Sequence, residues 1–230
     1  MKKARTRLWD NLPHPLERNK PETWIGPLES CDDPESHRGN FGWKFRAPGS
    51  EEWMIRLLAM DPSVRGMAEQ LLGEGSLVIP ERIRGIYCAM PEGDAPERPT
   101  TCHVDAHPFH LGVVGYIDDV GPSGGGFTVW PGSHIKFYYD FHSQYKMEPT
   151  DQYDVDREYF DQQPYRDCYG EAGDIIFWHH RIGHSVGHNR SKRIRQAVLY
   201  DFKKMDLNEE EPPCKDMWRD WPGVKAPPDG

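Results

Sequence analysis

The sequence has little that would direct the chain to a membrane, a nucleic acid or an oxidising compartment. No stretch of its 230 residues approaches the ~18 consecutive apolar residues of a membrane-spanning helix. A formal net charge of −9 disfavours general nucleic-acid binding, because that function needs a basic surface. The five cysteines are odd in number and contain no Cys-x-x-Cys pair, which favours free thiols. The first five residues are basic but no apolar run follows, so we expect a cytoplasmic protein.

The composition is that of a folded chain with a substantial core. Hydrophobic residues make up 37% of the sequence and aromatic residues 12%, including 8 tryptophans. This is too apolar for a disordered chain, and the length suits one sizeable domain over residues 1–230. Residues 1–50 are rich in proline, glycine and charge, which predicts an irregular wrap with short strands at most. Residues 206–230 form an acidic, proline-rich tail, for which a solvated terminus is the default expectation.

The middle of the chain predicts two helices followed by a β-rich region. Apolar residues at helical spacing predict helices within residues 51–73, the second capped by Asp61 and ended by Gly73. Short β-prone runs with glycine and proline between them follow, at 77–79, 83–89, 111–117, 126–130, 174–178 and 195–202. This order predicts a mainly β fold with flanking helices, either an antiparallel barrel or a double-sheet jelly roll. Residues 136–170 break the rhythm with many aromatic and acidic residues, which predicts a lid-like insertion.

A histidine and a carboxylate lie two residues apart at His103-Val104-Asp105. In an extended segment both side chains project to one side, so both can reach one metal ion. Pro99 and Pro108 argue against a helix, which disfavours a zinc site formed by His103 and His107 at helical spacing. His107 and His110 remain competing ligands. The distal candidates are His179, His180, His184 and His188.

Arg195 opens an apolar strand, 11 residues after His184. Arginine can hold a carboxylate with two parallel hydrogen bonds, so a metal site with an arginine beyond it suits a dicarboxylate that chelates iron. The alternative is that Arg190, Arg193 and Arg195 form a solvated basic face. Two further stretches frame the region: the glycine turn and strand of residues 124–134, and the turn at Gly173-Asp174.

The ordered set of these motifs resembles the phytanoyl-CoA dioxygenase-like family of Fe(II)- and 2-oxoglutarate-dependent oxygenases. The resemblance covers roughly residues 50–205 and lies in order and spacing, with no single motif sufficient. It implies a double-stranded β-helix, a cupin-like jelly roll. It also implies that His103, Asp105 and His184 hold iron, that Arg195 grips the distal carboxylate of 2-oxoglutarate, and that O2 is consumed.

The chain departs from this family at two places. Many relatives carry Asn-Gly where this chain has Gly125-Gly126, and an amide often extends from the strand before the first motif. Here that strand offers either Arg84, Ile86 and Cys88 or the alternate set Ile83, Gly85 and Tyr87. Asp105 is retained; because related halogenases replace this carboxylate with a small residue, its presence favours hydroxylation.

The expected function is hydroxylation of an unactivated C–H bond in a small molecule, with release of succinate and carbon dioxide. Arg84, His107 and Trp130 are candidate substrate contacts. Tyrosines and aspartates within 136–170 favour an amine-bearing substrate slightly over an anionic one, for which Arg84, Arg181 and Arg193 are available. The alternatives are a non-catalytic or differently metallated cupin-like binder and a protein- or peptide-modifying oxygenase. No nucleic-acid or membrane partner is expected, and the oligomeric state is not predicted.

Overall fold

The computed structural model describes residues 1–96 and 98–224. The strands and helices occur in the following order. They are α1 Lys2–Trp9, β1 Leu28–Asp33, β2 Ser36–Asn40, β3 Gly42–Phe45, α2 Glu52–Leu57, α3 Pro62–Leu72, β4 Gly85–Ala89, β5 Leu111–Tyr116, β6 Phe127–Val129, α4 Ser133–Phe137, α5 Asp151–Asp161, β7 Arg166–Cys168, β8 Ile175–His179, β9 His184–Val186 and β10 Arg195–Phe202. Within the described residues, no helix is long and apolar enough to cross a membrane.

Two antiparallel sheets form the centre of the fold. The larger has seven strands in the order β1-β2-β3-β4-β10-β5-β8, and the smaller has three in the order β7-β6-β9. An isolated bridge between His103 and His184 adds one more segment to the outer edge of the smaller sheet. The expected mainly β, jelly-roll fold with flanking helices is confirmed.

The large sheet separates two apolar layers, as alternation along its strands shows. In β10, Val198, Tyr200 and Phe202 belong to the layer that contains the helices. The alternate residues Ala197 and Leu199 belong to a second cluster with Phe127 of the smaller sheet. Since side chains alternate across a strand, Arg195 shares the inner side with Ala197 and Leu199.

Helices α1, α2 and α3 cover the outer face of the large sheet. Their buried residues, which join the same core cluster, are Ala4, Leu8, Met54, Val64, Ala68 and Leu72. The Asp61 side chain accepts hydrogen bonds from the amides of Ser63 and Val64 at the start of α3, and Gly73 follows its last residue. The two helices predicted within residues 51–73 are therefore confirmed.

The first 50 residues are more regular than their composition predicts. They contain α1 and three strands, β1 to β3, that continue the large sheet beyond β4. β1 and β2 are mostly exposed or half-buried on both faces, so they lack the alternation that marks a strand in a sequence. Conversely, the β-prone run at 77–79 forms only a bridge from Leu77 to Lys204.

Residues 136–170 form a compact unit that contains the end of α4, α5 and β7. Phe137, Phe141, Tyr153 and Phe160 form a buried cluster with Trp130, Cys102 and Val104. The tail packs on the same unit: Tyr145 donates a hydrogen bond to Asp220, and the buried Trp221 lies beside His179. The insertion thus lies behind the segment that carries His103 and Asp105.

Candidate metal centre and adjoining cleft

The structure brings His103, Asp105 and His184 together. One ligand atom from each lies within 4.8 Å of the others, and the Nε2 atom of His184 lies 3.5 Å from Asp105 Oδ2. Paired backbones produce this arrangement, because the amides of His103 and His184 each donate to the other residue's carbonyl. Asp105 lies two residues along the same extended segment, so its carboxylate reaches the same side as the His103 ring.

The two flanking residues point the other way. Cys102 and Val104 are buried in the cluster formed by the insertion, with exposures of 1% and 4%. The Cys102 amide donates a 2.5 Å hydrogen bond to Asp161, the last residue of α5. Because side chains alternate along an extended segment, Cys102 and Val104 are anchored in an apolar core, whereas His103 and Asp105 face the cleft.

One nitrogen of His184 is left available to a metal ion. His184 Nδ1 lies 3.0 Å from the Ile182 carbonyl, which can only accept, so Nδ1 carries the proton and Nε2 keeps its lone pair. The His103 ring is accessible from the cleft, and partial removal from water, together with neighbouring His184, lowers its pKa. Burial alone would raise the Asp105 pKa, but the charge of Arg84 and its hydrogen bond to the carboxylate lower that pKa.

Arg84 fixes the Asp105 carboxylate in place. Its Nη2 atom donates to Asp105 Oδ2 at 2.6 Å, and its Nε and Nη2 atoms donate to the two oxygens of Asp201 at 2.6 and 2.7 Å. His107 Nε2 lies 2.8 Å from Asp201 Oδ2, which extends the network by one residue. Arg84 and His107, both expected at the substrate, thus contact the ligand set and its support.

A second set of possible ligands consists of Asp105, His107 and Asp201. Arg84 lies between them, with its Nη2 atom 3.0 Å from His107 Nε2 and bonded to both carboxylates. A guanidinium cation at that point opposes a metal cation there. In the set with His103 and His184, Arg84 contacts only Asp105, so this set is the better metal site.

Arg195 lines the same cavity and is buried, with 6% of its surface exposed. Its Nε atom donates to the Gly125 carbonyl at 2.6 Å, and Nη1 donates to the Tyr87 carbonyl at 3.0 Å. Gly125 has φ +78°, and a Cβ there would lie 3.0 Å from the Cβ of Ala89. This position therefore requires glycine, and its carbonyl fixes the orientation of the arginine.

A cavity of about 330 Å³ joins these groups. It contains the three candidate ligands and Arg195, and its apolar wall is formed by Phe41, Trp43, Tyr87, Phe127, Trp178 and Leu199. Of the two alternate residue sets on β4, Tyr87 packs against the inner cluster, whereas Ile86 and Cys88 belong to the helix-side core. Of these two sets, Tyr87 is therefore the side chain that β4 contributes to the cavity of about 330 Å³, which is called the inner cavity below.

The competing residues lie elsewhere. His179 and His180 stack on the aromatic residues of the insertion and tail, and His110 packs on Tyr145. His188 pairs with Glu92 at 3.0 Å. Trp130, expected at the substrate, is 1% exposed in the cluster behind the ligand segment and does not reach the cleft, because it alternates with Val129 at the end of β6.

Sequence reasoning missed two functional neighbours. Asp201 near the end of β10 appeared only as part of an apolar strand, yet it forms the link between Arg84 and His107. Asp161 at the end of α5 gave no signal, since its partner is a backbone amide 59 residues away. A polar residue within a strong apolar strand, such as Asp201, is the kind of signal that could have been followed.

The match to a protein-family model supplies the family. The model for phytanoyl-CoA dioxygenase matches residues 48–197, which include all three candidate ligands and Arg195. The chain belongs to the phytanoyl-CoA dioxygenase family. This is the family that the motifs resemble, and it makes the chain an oxygenase of the iron- and 2-oxoglutarate-dependent class. Among curated protein sequences, none matches the chain significantly.

Solved structures resemble the chain in fold at low sequence identity. EctD from S. alaskensis, crystallised with 2-oxoglutarate and 5-hydroxyectoine, has 16% identity and a TM-score of 0.55 over 92% of this chain and 69% of that chain. SnoK, a non-heme alpha-ketoglutarate-dependent carbocyclase from nogalamycin biosynthesis, has 20% identity and a TM-score of 0.52 over 84% and 78%. EvdMO1 has 17% identity and a TM-score of 0.50 over 77% of this chain, which spans only 40% of that chain.

Proposed function

We propose that the chain is an Fe(II)- and 2-oxoglutarate-dependent hydroxylase of a small molecule. His103, Asp105 and His184 hold the iron, and Arg195 binds the distal carboxylate of 2-oxoglutarate. The observation that carries this proposal is the convergence of two histidines and one carboxylate at a cavity that a buried arginine also lines. Two histidines and one carboxylate on one side of an ion are the facial ligand set of non-haem Fe(II) oxygenases.

The donor set fits iron better than it fits a structural metal. Structural zinc sites are closed by four protein ligands, whereas three ligands here face an accessible cleft. His184 keeps Nε2 free because its other nitrogen is committed to a backbone carbonyl, as is usual for metal-ligating histidines. Together with 2-oxoglutarate and dioxygen, the bound iron supplies the oxidising power for a C–H bond, with release of succinate and carbon dioxide.

The protein's own contribution is to orient these groups and to exclude water. Arg84 and Asp201 fix the Asp105 carboxylate, so its free oxygen has a defined direction. The Nε of Arg195 is committed to Gly125, so a carboxylate is gripped through the two terminal nitrogens. The aromatic side chains of Trp43, Phe127 and Trp178 line the space between and keep it apolar.

Hydroxylation is the proposed outcome because Asp105 is present as a third protein ligand. SnoK, which resembles the chain in fold, is a carbocyclase, so the fold alone does not select one oxidative outcome. The cavity of about 330 Å³ favours a small molecule over a protein segment as substrate. The amine-bearing substrate expected from residues 136–170 gains no support, because among the described residues none of that segment lines the cavity.

An anaerobic titration tests this proposal. Fe(II) is added to the protein in the presence of 2-oxoglutarate, and the visible absorption band of the chelate is followed. We expect one equivalent of iron and a saturable band. The variant Arg195→Gln should weaken 2-oxoglutarate binding at least about tenfold, the effect of losing one or two charge-assisted hydrogen bonds. Arg193→Gln, an exposed neighbour, serves as the control and should leave it unchanged.

Two outcomes would contradict the proposal at different levels. If iron and 2-oxoglutarate together produced no band in the unaltered protein, the oxygenase site proposed here would be wrong. If the band formed but Arg195→Gln left the 2-oxoglutarate affinity unchanged, the assignment of Arg195 alone would be wrong. Product formation is then tested by recovery of succinate and of hydroxylated product from a small-molecule panel.

A further inference from the structure

A second and larger cavity opens beside the metal centre. It has a volume of about 870 Å³ and shares Lys44, Arg84, Tyr87 and Asp105 with the cavity that holds the candidate ligands. The two cavities therefore adjoin each other at Asp105. The residue assigned to 2-oxoglutarate, Arg195, does not line the outer cavity.

Basic side chains dominate the outer cavity. Five cations line it, Lys44, Arg46, Arg82, Arg84 and Lys203, against three carboxylates, Glu81, Asp105 and Asp201. Arg84 binds two of these carboxylates, and the five cations exceed the three carboxylates by two charges. The local charge is therefore positive although the chain as a whole carries −9.

The cations at the mouth are largely unpaired. In residues 1–96 and 98–224, no carboxylate lies within 4.0 Å of the terminal nitrogens of Lys44, Arg46 or Lys203. Arg82 has only a 3.9 Å contact with Glu35, too long for a hydrogen bond. Lys44 and Arg46 come from β3 and its end, whereas Lys203 follows β10, so separate strands direct like charges into one space. An anion that binds among cations without counter-charges offsets their mutual repulsion, so anion binding there is favourable.

We propose that this outer cavity is the substrate's binding site and that it selects a small molecule with an oxyanion group, a phosphate or a carboxylate. Lys44, Arg46 and Lys203 bind that group while the rest of the substrate passes Tyr87 and reaches the metal centre. The assignment as substrate site rests on the proposed oxygenase function, whereas the binding of an oxyanion does not. It replaces an amine-bearing substrate with one of the opposite charge.

The test uses three aromatic probes of similar size and different charge: phenyl phosphate, benzoate and benzylamine. Binding of each to the full chain, with and without Fe(II) and 2-oxoglutarate under anaerobic conditions, is measured by calorimetry at one ionic strength. We expect phenyl phosphate or benzoate to bind and benzylamine to bind at least about tenfold more weakly. The tighter of the two anions identifies which oxyanion the site prefers.

The variant Arg46→Gln/Lys203→Gln removes two cations from the outer cavity at positions that do not line the cavity of the candidate ligands and Arg195. It should weaken binding of the preferred anion at least about tenfold and leave the absorption band of the 2-oxoglutarate chelate unchanged. Lys192→Gln/Lys215→Gln, two exposed lysines outside both cavities, removes the same net charge and should leave binding unchanged.

Two results would overturn the proposal: tighter binding of benzylamine than of both anions, or anion binding that the Arg46/Lys203 variant leaves within about twofold of the original. Neither depends on the iron chemistry, because calorimetry detects anion binding in the protein without metal. Absence of the absorption band in the unaltered protein would instead count against the proposed function.

Discussion

Two groups of histidines have different surroundings in the fold. His103 and His184 face a carboxylate, and one nitrogen of His184 is committed to a backbone carbonyl. His134, His179 and His180 instead stack with Trp218, Trp221 and Tyr145. In this aromatic group three ring nitrogens are buried without a hydrogen-bond partner, and no carboxylate among the described residues completes a ligand set with them.

This contrast shows that a metal site depends on the direction of the ligand atoms and on charge compensation, more than on the number of histidines. Burial lowers the pKa of His179 and His180 well below the ordinary value, so both are neutral, as metal ligands must be. They nevertheless lack the anion that a divalent cation needs. Asp105 supplies it to the first group, and Arg84 and Asp201 hold it in place.

The largest effect should follow from breaking the support of Asp105. Arg84→Met leaves Asp201 and Asp105 without their shared cation in a nearly buried site, which we expect to lower the free energy of unfolding by about 3 kcal/mol. Denaturant unfolding measures this loss. The control Arg56→Met removes an exposed pair with Glu52 and should change stability by less than about 0.5 kcal/mol. An equal, small effect of both variants would show that the network contributes nothing.

A smaller effect should follow from loosening the other side of the ligand segment. Asp161→Ala removes the acceptor of the Cys102 amide, and a buried donor left unsatisfied costs about 1–3 kcal/mol. Because Cys102 precedes His103, iron affinity should also fall, which distinguishes support of the site from general packing. Glu158→Ala, exposed on the same helix, is the matched control. Unchanged iron affinity in Asp161→Ala would mean that α5 does not position the ligand.

The smallest effect should be found in the aromatic group. His134→Phe replaces a ring whose Nδ1 atom is buried without a partner, and whose pKa burial lowers, by a ring of similar shape. Since no hydrogen bond is lost from that atom and stacking on Trp218 is kept, unfolding free energy should change by less than about 1 kcal/mol. Iron affinity should be the same as in the unaltered protein. A clear loss of iron would mean that the two groups are coupled.

Much of the fold was predictable because its strongest signals are local. The strands β4, β5, β8 and β10 are dense in β-prone residues, and α3 carries its cap at Asp61. The edge strands β1 and β2 were not predictable, since both faces are largely exposed and no alternation results. Sheet pairing, and not the local pattern, determines that these residues are extended.

The site was predictable to the extent that motif order encodes it. His103, Asp105, His184 and Arg195 were all identified from spacing and family resemblance, and the structure places them around one cavity. The positions of Asp201 and Lys44, and the contacts of Arg84 with Asp105 and Asp201, could not be read in this way. Their arrangement depends on contacts between β3, β4 and β10, which lie far apart in the chain and meet only in the folded sheet. The proposed role of 136–170 as a lid stays a prediction, and the structure adds a supporting role behind the ligand segment.

The choice between the two histidine groups is decided by the iron stoichiometry and affinity of two variants, His184→Ala and His179→Asn. Asparagine at 179 removes the ring that stacks on Trp221 but keeps a side-chain acceptor for the Arg181 amide. Anaerobic equilibrium dialysis against Fe(II), with unfolding curves to confirm that both variants are folded, gives the comparison. We expect one iron per chain in the unaltered protein and in His179→Asn, and a loss of at least about 100-fold in affinity in His184→Ala. Loss of iron in His179→Asn with full binding in His184→Ala would contradict the assignment of the metal centre.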